Sequence, residues 1–263
     1  MITGLDHVAV AVRDFDAAVD GYRRMFGREP ELQPGGGARR AWFGLPNMAL
    51  ELISPDADDS THPVRERLDA AGEGVWLAAL QADDMEADAK LLGRRGLDVA
   101  PEGDLARVKA AGLDFLLWPA RERLTSPATE SEAAAVSSMD HLVVHSPNPD
   151  RAAGVYGAKF GMDLRLDREN AQWGARQLFF NCGNAVFEVA ASLKTPVSTD
   201  PDSFGGFAWR VIDAEAARDR IAAAGFNVSE VRIGRKPGTR VFTVRDAPGG
   251  VPTLMIQQNA EPN

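Results

Sequence analysis

From Leu5 to Val12 apolar residues occupy both sides of an extended segment, with His7, Ala9 and Ala11 on one face and Val8, Val10 and Val12 on the other. Asp14-Phe15-Asp16 supplies a helix start, and apolar positions at helical spacing continue to Met25-Phe26 before Gly27 stops them. The pattern then predicts three strands, around 30–33, 38–44 and 48–53, with turns from Pro34 to Gly37 and at Leu45-Pro46-Asn47. This is a βαβββ unit. A second follows, with a strand at 75–82, a helix at 83–93 and strands near 98–100, 105–110 and 114–118. His62, beside Pro63 in the acidic loop that begins at Asp56, reads as a surface residue.

The same pattern then returns. Leu5-Asp6-His7-Val8-Ala9-Val10 recurs as Met139-Asp140-His141-Leu142-Val143-Val144, an offset of 134 (141 − 7). At that offset Asp16 meets Asp150, Tyr22 meets Tyr156, and Phe26-Gly27 meets Phe160-Gly161. The third unit predicts a strand at 139–145, a helix at 149–160, and strands near 163–166, 176–181 and 185–190. A fourth begins at 207–211 and matches the second at an offset of 129 (213 − 84), through Asp84/Asp213, Glu86/Glu215 and Gly96/Gly225. The order A-B-A′-B′ marks a tandem duplication. The expected fold class is α+β, with four βαβββ modules. Residues 1–120 would form one domain (modules 1–55 and 73–120) and 137–260 a second (modules 137–192 and 203–258). The Ala/Ser/Glu-rich stretch over 121–138, with Pro127, supplies a linker at 121–136.

Composition narrows the partners. The 263 residues carry a formal net charge of −9, which argues against a nucleic-acid or anionic-membrane surface and leaves a small molecule as the expected partner. Arg39-Arg40 and Arg235-Lys236 read as solvated loop charge, with a local cationic patch for an acidic ligand still open. Cys182 stands alone in a hairpin-turn sequence, so it forms no internal disulfide and nothing marks it as a nucleophile. Neither a signal peptide nor a membrane-length apolar run is legible, and a cytoplasmic protein is the expectation. Self-association into a homodimer is left open.

The chemistry concentrates on two pairs. Glu51 lies on an apolar strand, on one face with Ala49 and Ile53, and Glu188 repeats the arrangement in Val186-Phe187-Glu188-Val189. A carboxylate in such a place must be paired, hydrogen-bonded, bound to metal or open to water. Each follows a histidine on its module's first strand, His7 and His141. His145 shares a strand face with His141, but four residues place their Cα atoms roughly 13 Å apart, so it reads as pocket lining or a proton carrier. Gly35-Gly36-Gly37 lacks the continuation of a phosphate loop and reads as a turn, and the five tryptophans read chiefly as core.

Asp6-His7-Val8-Ala9-Val10, the Tyr22…Phe26-Gly27 helix end, Leu50-Glu51-Leu52-Ile53-Ser54-Pro55 and Gly72-Glu73-Gly74-Val75 together resemble the vicinal oxygen chelate superfamily. That superfamily includes glyoxalase I, methylmalonyl-CoA epimerase, extradiol dioxygenases and bleomycin-resistance proteins, and the first half is most similar to the epimerases. The resemblance implies that paired modules form two glyoxalase-like half-open barrels around a divalent metal, with ligands from the first and last strands of each module. It places ligands on His7 and Glu51 in one half and on His141 and Glu188 in the other. The remaining family positions fall on Leu77 and near Asp114, and on Gly206 and approximately Leu254, so neither half shows a full set. Only pairing of the first module with the third would gather all four candidates; pairing in chain order is the preferred expectation.

Of two functions, the first is the expectation and the second the alternative. The first is a divalent-metal-dependent enzyme acting on a small oxygen-chelating substrate, a lyase, isomerase or dioxygenase by type. Epimerase chemistry is disfavoured, because strand 39–44 offers no carboxylate where the family keeps its proton-transfer base. The other is a metal-free protein that binds or sequesters a small molecule, as bleomycin-resistance proteins do, with His and Glu as hydrogen-bond partners.

Overall fold

The computed structural model describes residues 1–258 except Pro34, Ser60 and Arg123. The turn residue Pro34 and the expected domain end at 259–260 therefore lie outside the described residues. The first half contains β1 (Ile2–Ala11), α1 (Phe15–Phe26), β2 (Glu31–Leu32), β3 (Ala38–Gly44), β4 (Ala49–Pro55), α2 (Pro63–Ala71), β5 (Gly74–Ala82), α3 (Met85–Arg94), β6 (Asp98–Glu102), β7 (Leu105–Ala110) and β8 (Leu113–Pro119). The second contains β9 (Val136–His145), α4 (Pro149–Ala152), a π-helical turn (Ala153–Lys159), β10 (Asp163–Asn170), β11 (Ala175–Cys182), β12 (Ala185–Ser192), β13 (Ser203–Val211), α5 (Ala214–Ala223), β14 (Arg232–Ile233), β15 (Thr239–Val244) and β16 (Thr253–Gln258).

These strands build two eight-stranded mixed sheets, ordered β2-β3-β4-β1-β5-β8-β7-β6 and β10-β11-β12-β9-β13-β16-β15-β14. The identical order in both sheets is the structural image of the sequence repeat. First strands meet at the middle of each sheet, β1 beside β5 and β9 beside β13, so the modules join in chain order and not first to third. Neither sheet closes on itself, which gives half-open barrels of the expected α+β class.

Backbone proximity divides the chain differently, into two compact units. One comprises Met1–Val8, Leu77–Glu122 and His141–Gly205, and so joins the second module to the third. Its core gathers Phe115 of β8 with Tyr156 and Phe160 from the π-helical turn and its end, and with Phe204. Buried Asp202 accepts hydrogen bonds from the Tyr156 hydroxyl (2.8 Å) and Arg151 (2.6 Å), which satisfies a phenol that burial would otherwise strand. The other unit comprises Ala9–Trp76, the segment from 123 to Asp140 and the chain from Gly206 onward. Here Phe26 packs against Phe43 and Trp209. Full burial of each such ring stabilises by about 1.5–3 kcal/mol.

The stretch expected as a linker is fastened to the second unit. Arg28 donates to the carbonyls of Val136 (2.6 Å) and Ser126 (3.0 Å), and Gly44 N–H donates to Ser126 Oγ (2.9 Å). The strand β9 starts at Val136, inside that stretch. Local rules explain α1 fully: Asp14 caps it by accepting from Ala17 N–H, and Gly27 ends it in the left-handed region at φ 64°. The expected helix at 149–160 forms only one α-turn before widening into the π-helical turn that carries Tyr156. Among the described residues no helix is long and apolar enough to cross a membrane.

α2 was not expected. His62 is its N-cap and not a free surface residue, accepting from Val64 N–H at 3.2 Å, with Pro63 in the first turn. Burial, with the nearby Arg40 charge, holds the His62 pKa below the ordinary value of 6.5. The neutral ring is the form that accepts, so the cap is fully present above 6.5 and is lost as pH falls toward the lowered folded value. The expected outcome is a thermal-stability gap between wild type and His62→Asn that opens as pH drops below 6.5 and closes at neutral pH, worth about 0.5–1 kcal/mol. A gap that does not change with pH would show that the ring does not titrate in this range.

Candidate functional site

His7 lies on β1, 1% exposed, and its Nδ1 contacts Asp6 Oδ1 at 2.7 Å. Asp6 also accepts two hydrogen bonds from Arg121, at 2.8 and 3.2 Å. Burial pushes the Asp6 carboxyl up, but the bonds and charges of His7 and Arg121 outweigh it and hold the pKa below its ordinary value. Trp118 meets the His7 ring edge-on at 4.9 Å and carries the Arg121 guanidinium over its face at 4.9 Å. His7 is thus held in a buried polar and aromatic cluster on β1, the strand beside the one that carries Glu51.

Glu51 is 5% exposed on β4, and Arg40 Nε lies 3.0 Å from its Oε1. Arg40 is therefore not solvated loop charge: it sits on β3 and neutralises a buried carboxylate. Its neighbour Arg39 pairs with Asp16. Near the fourth family position, Asp114 on β8 pairs in register with Leu77 on β5. That carboxylate lies 3.6 Å from Arg107. Of the first-half family positions, Glu51 and Asp114 each lie against an arginine, and Leu77 carries no donor.

The second half repeats the arrangement of strands. His141 Nε2 lies 2.9 Å from Glu188 Oε2, and both side chains are partly open, at 12% and 13% exposure. Gln177 Nε2 donates to Glu188 Oε1, and the Gln177 oxygen accepts from Arg168 at 3.1 Å. Strand alternation explains the face: Leu142, Leu178, Phe180, Phe187 and Val189 point to the core, so their neighbours His141, Gln177, Phe179 and Glu188 occupy the opposite side. His145 is exposed at the end of β9, paired with Ala190. In the fourth module, the inward positions of β13, β15 and β16 form an apolar cluster of Ala208, Val241, Ile256 and Leu254. Gly206 adopts φ 136°, and a Cβ there would stand 2.2 Å from the Pro252 carbonyl oxygen, so backbone packing keeps a ligating side chain off that position.

One correspondence escaped the sequence reading. Arg40 precedes Glu51 by 11 residues (51 − 40), and Gln177 precedes Glu188 by 11 (188 − 177). The registers agree as well, with Trp42 opposite Glu51 and Phe179 opposite Glu188. Arg40 and Gln177 are therefore the same position in the two copies. Gln33, whose N–H donates to the Arg40 carbonyl, corresponds to Arg168, which faces Gln177. Arginine and glutamine have exchanged strands. The equal spacing was the available signal, visible once the glutamates rather than the histidines are aligned.

The donor set can be tested against a metal. Among the described residues no group of three or more His, Cys, Asp or Glu side chains is placed to hold an ion, so His7, Glu51, His141 and Glu188 do not form one centre. A cation on Glu51 would face the Arg40 guanidinium. Among the described residues the second face offers His141 and Glu188 as ligands, while the Gln177 oxygen accepts from Arg168. Two ligands fall short of the three or more that catalytic sites generally use. Elsewhere, a small cavity of about 40 Å³ lined by Ile2, Asp88, Leu92, Arg95 and Phe160, among others, contains none of the four candidates. Burial pushes the Cys182 thiol up to about 12, which leaves it unreactive at neutral pH.

Comparison with known proteins agrees with this architecture. Residues 6–116 and 138–252 each match a family described as the Glyoxalase/Bleomycin resistance protein/Dioxygenase superfamily. The chain belongs to this superfamily, that of the vicinal oxygen chelate proteins. An ethylmalonyl-CoA/methylmalonyl-CoA epimerase from Cereibacter sphaeroides is 32% identical over 107 residues, covering 40% of this chain and 79% of the epimerase. The fold is similar to a triple mutant of 4-hydroxymandelate synthase from Streptomyces coelicolor (TM-score 0.77, 16% identity, 100% of this chain and 94% of that one). It is also similar to a Mn(II)-bound glyoxalase from Novosphingobium aromaticivorans (TM-score 0.71, 17% identity, 98% and 82%). A halotolerant catechol dioxygenase shares the fold at TM-score 0.71 and 10% identity, over 100% and 89% of the two chains.

The Arg40–Glu51 pair yields a direct test. Arg40→Met should destabilise the protein by about 3 kcal/mol in urea unfolding, the low end for removing one partner of a buried ion pair. Adding Glu51→Gln should recover most of that loss, because the buried carboxylate that Arg40 pairs with is then a neutral amide. Equal stability of Arg40→Met and wild type would show that the guanidinium does not hold Glu51 ionised.

Proposed function

We propose that this superfamily member binds a small molecule on the open face of β9 to β12 through His141 and Glu188, without a resident metal. One observation carries the reading: Glu188 is hydrogen-bonded by His141 and Gln177 on a partly exposed face, whereas Glu51 is sealed against Arg40. Phe179 lies edge-on to His141 at 6.4 Å and adds an apolar wall, so the face combines a few directed polar groups with aromatic surface, as small-molecule sites do. A ligand entering between His141 and Glu188 would meet a ring nitrogen and a carboxylate oxygen side by side. The work is binding or sequestration, in the manner of the bleomycin-resistance proteins.

A second reading, a metal-dependent enzyme acting on a substrate with adjacent oxygens, is favoured by the likeness to a Mn(II)-bound glyoxalase and to dioxygenases. His141 and Glu188 would then be the ligands, and the ion would supply Lewis-acid stabilisation of substrate charge. Elemental analysis of protein purified without affinity tag or chelator separates the two, with Glu51→Gln and Glu188→Gln prepared in parallel. The expected result is no stoichiometric divalent metal in any sample, including after reconstitution with Mn(II) or Zn(II). About one equivalent, lost only in Glu188→Gln, would overturn the metal-free reading and establish the enzyme centre in the second half.

A further inference from the structure

The exchange of arginine and glutamine between the two copies leaves a cation without a counter-ion. In the first half the guanidinium of Arg40 is spent on Glu51. In the second half the arginine stands one strand further out, on β10, and among the described residues it donates to the neutral Gln177 oxygen. Other arginines of this region have carboxylates: Arg165 pairs with Asp163, and Arg176 with Asp167 and Asp150. Arg168 pairs with none among the described residues, and its buried Nε finds no acceptor there. A guanidinium offers five N–H donors, so one bond to an amide leaves most of its capacity unused.

Its surroundings suit recognition more than simple exposure. The guanidinium carbon stands 5.6 Å from the centre of the Trp173 ring and 6.0 Å from that of Phe179, contacts that fix its plane while leaving its charge uncompensated. Register places Arg168 opposite Gln177, and Phe179 opposite Glu188 and beside Leu166, on the same face as the His141–Glu188 pair. Glu188 would repel an anion placed directly on it. Gln177 on β11 stands between that group and Arg168, whose strands lie two spacings of about 4.8 Å apart. The face therefore offers an anion-accepting end at Arg168 and a mixed donor–acceptor end at His141, with aromatic surface between them.

We infer that Arg168 is the anion-recognition residue of the second-half site, and that the ligand is a small carboxylate with a planar apolar body lying on Phe179 and Trp173. This rests on the proposal that the ligand face is that of β9 to β12. A guanidinium–carboxylate contact is charge-assisted and directional, and an isosteric amide cannot reproduce it.

Phenylacetate and its neutral isostere phenylacetamide are the probes, titrated by calorimetry into the full chain. Phenylacetate should bind wild type at least about tenfold more tightly than phenylacetamide, a ratio set by the charge-assisted bond. Arg168→Met should bring the ratio close to one with its melting temperature unchanged, since no ion pair is broken. Glu188→Gln should keep or raise the ratio, because it removes negative charge from the far end. Equal affinities in wild type, or a ratio that persists in Arg168→Met, would overturn the inference. The outcome is separable from that of the metal analysis: a resident metal together with an Arg168-dependent ratio would keep the anion site and discard the metal-free reading. No metal and no ratio would do the reverse.

Discussion

A carboxylate taken out of water has to be compensated, and the organisation of both halves turns on how that is done for Glu51 and Glu188. Desolvation alone would force such a group to take up a proton, so its neighbours decide what the site can do. On β3 the compensation is a full positive charge from Arg40, at 3.0 Å. On β11 it is the Gln177 amide, supplemented by His141. One half is thereby locked by an internal cation. The other keeps a negative, partly exposed group that still has chemistry to offer.

The rest of the fold makes that difference available. Pairing first strands at the centre of each sheet puts β4 beside β1 and β12 beside β9, so each glutamate-bearing strand adjoins a histidine-bearing one. Packing then joins the second module with the third and the first with the fourth, giving each compact unit contributions from both copies of the repeat. The ties of Arg28 to the 126–136 segment and of Asp202 to Arg151 and Tyr156 are buried polar contacts that hold chain connections in place. Divergence in the fourth module has gone toward an apolar lining, with Gly206 held by backbone proximity. What duplication supplied twice has been kept in one place and closed off in another.

Much of this was legible because strand and helix periods are local. The Leu5–Val12 alternation, the Asp14 cap and the Gly27 stop each depend on residues a few positions apart. α2 was hidden because its cap is a histidine rather than Ser, Thr, Asp or Asn, and its polar exterior leaves only Val64 and Leu68 buried. The π-helical widening at Ala153–Lys159 was hidden because nothing in apolar spacing distinguishes it from an α-turn with a tertiary partner at Asp202. β9 begins three residues earlier than the apolar pattern suggested (139 − 136), since Ser137 and Ser138 interrupt the pattern without interrupting the strand.

By itself, the sequence determined the repeat, the module order, the faces of the strands and the presence of two carboxylates on apolar strands. Those follow from periodicity and from the cost of burying charge. Only the tertiary structure decided which side chain answers each carboxylate. Arg40 and Gln177 reach their glutamates across strand pairs, and whether a side chain 11 residues away is a neighbour depends on register. Register is fixed by the packing of whole sheets, because a one-residue slip would turn each buried face outward. The identity of the residues was in the chain from the start; their adjacency, and with it the contrast between a sealed half and an open one, was not.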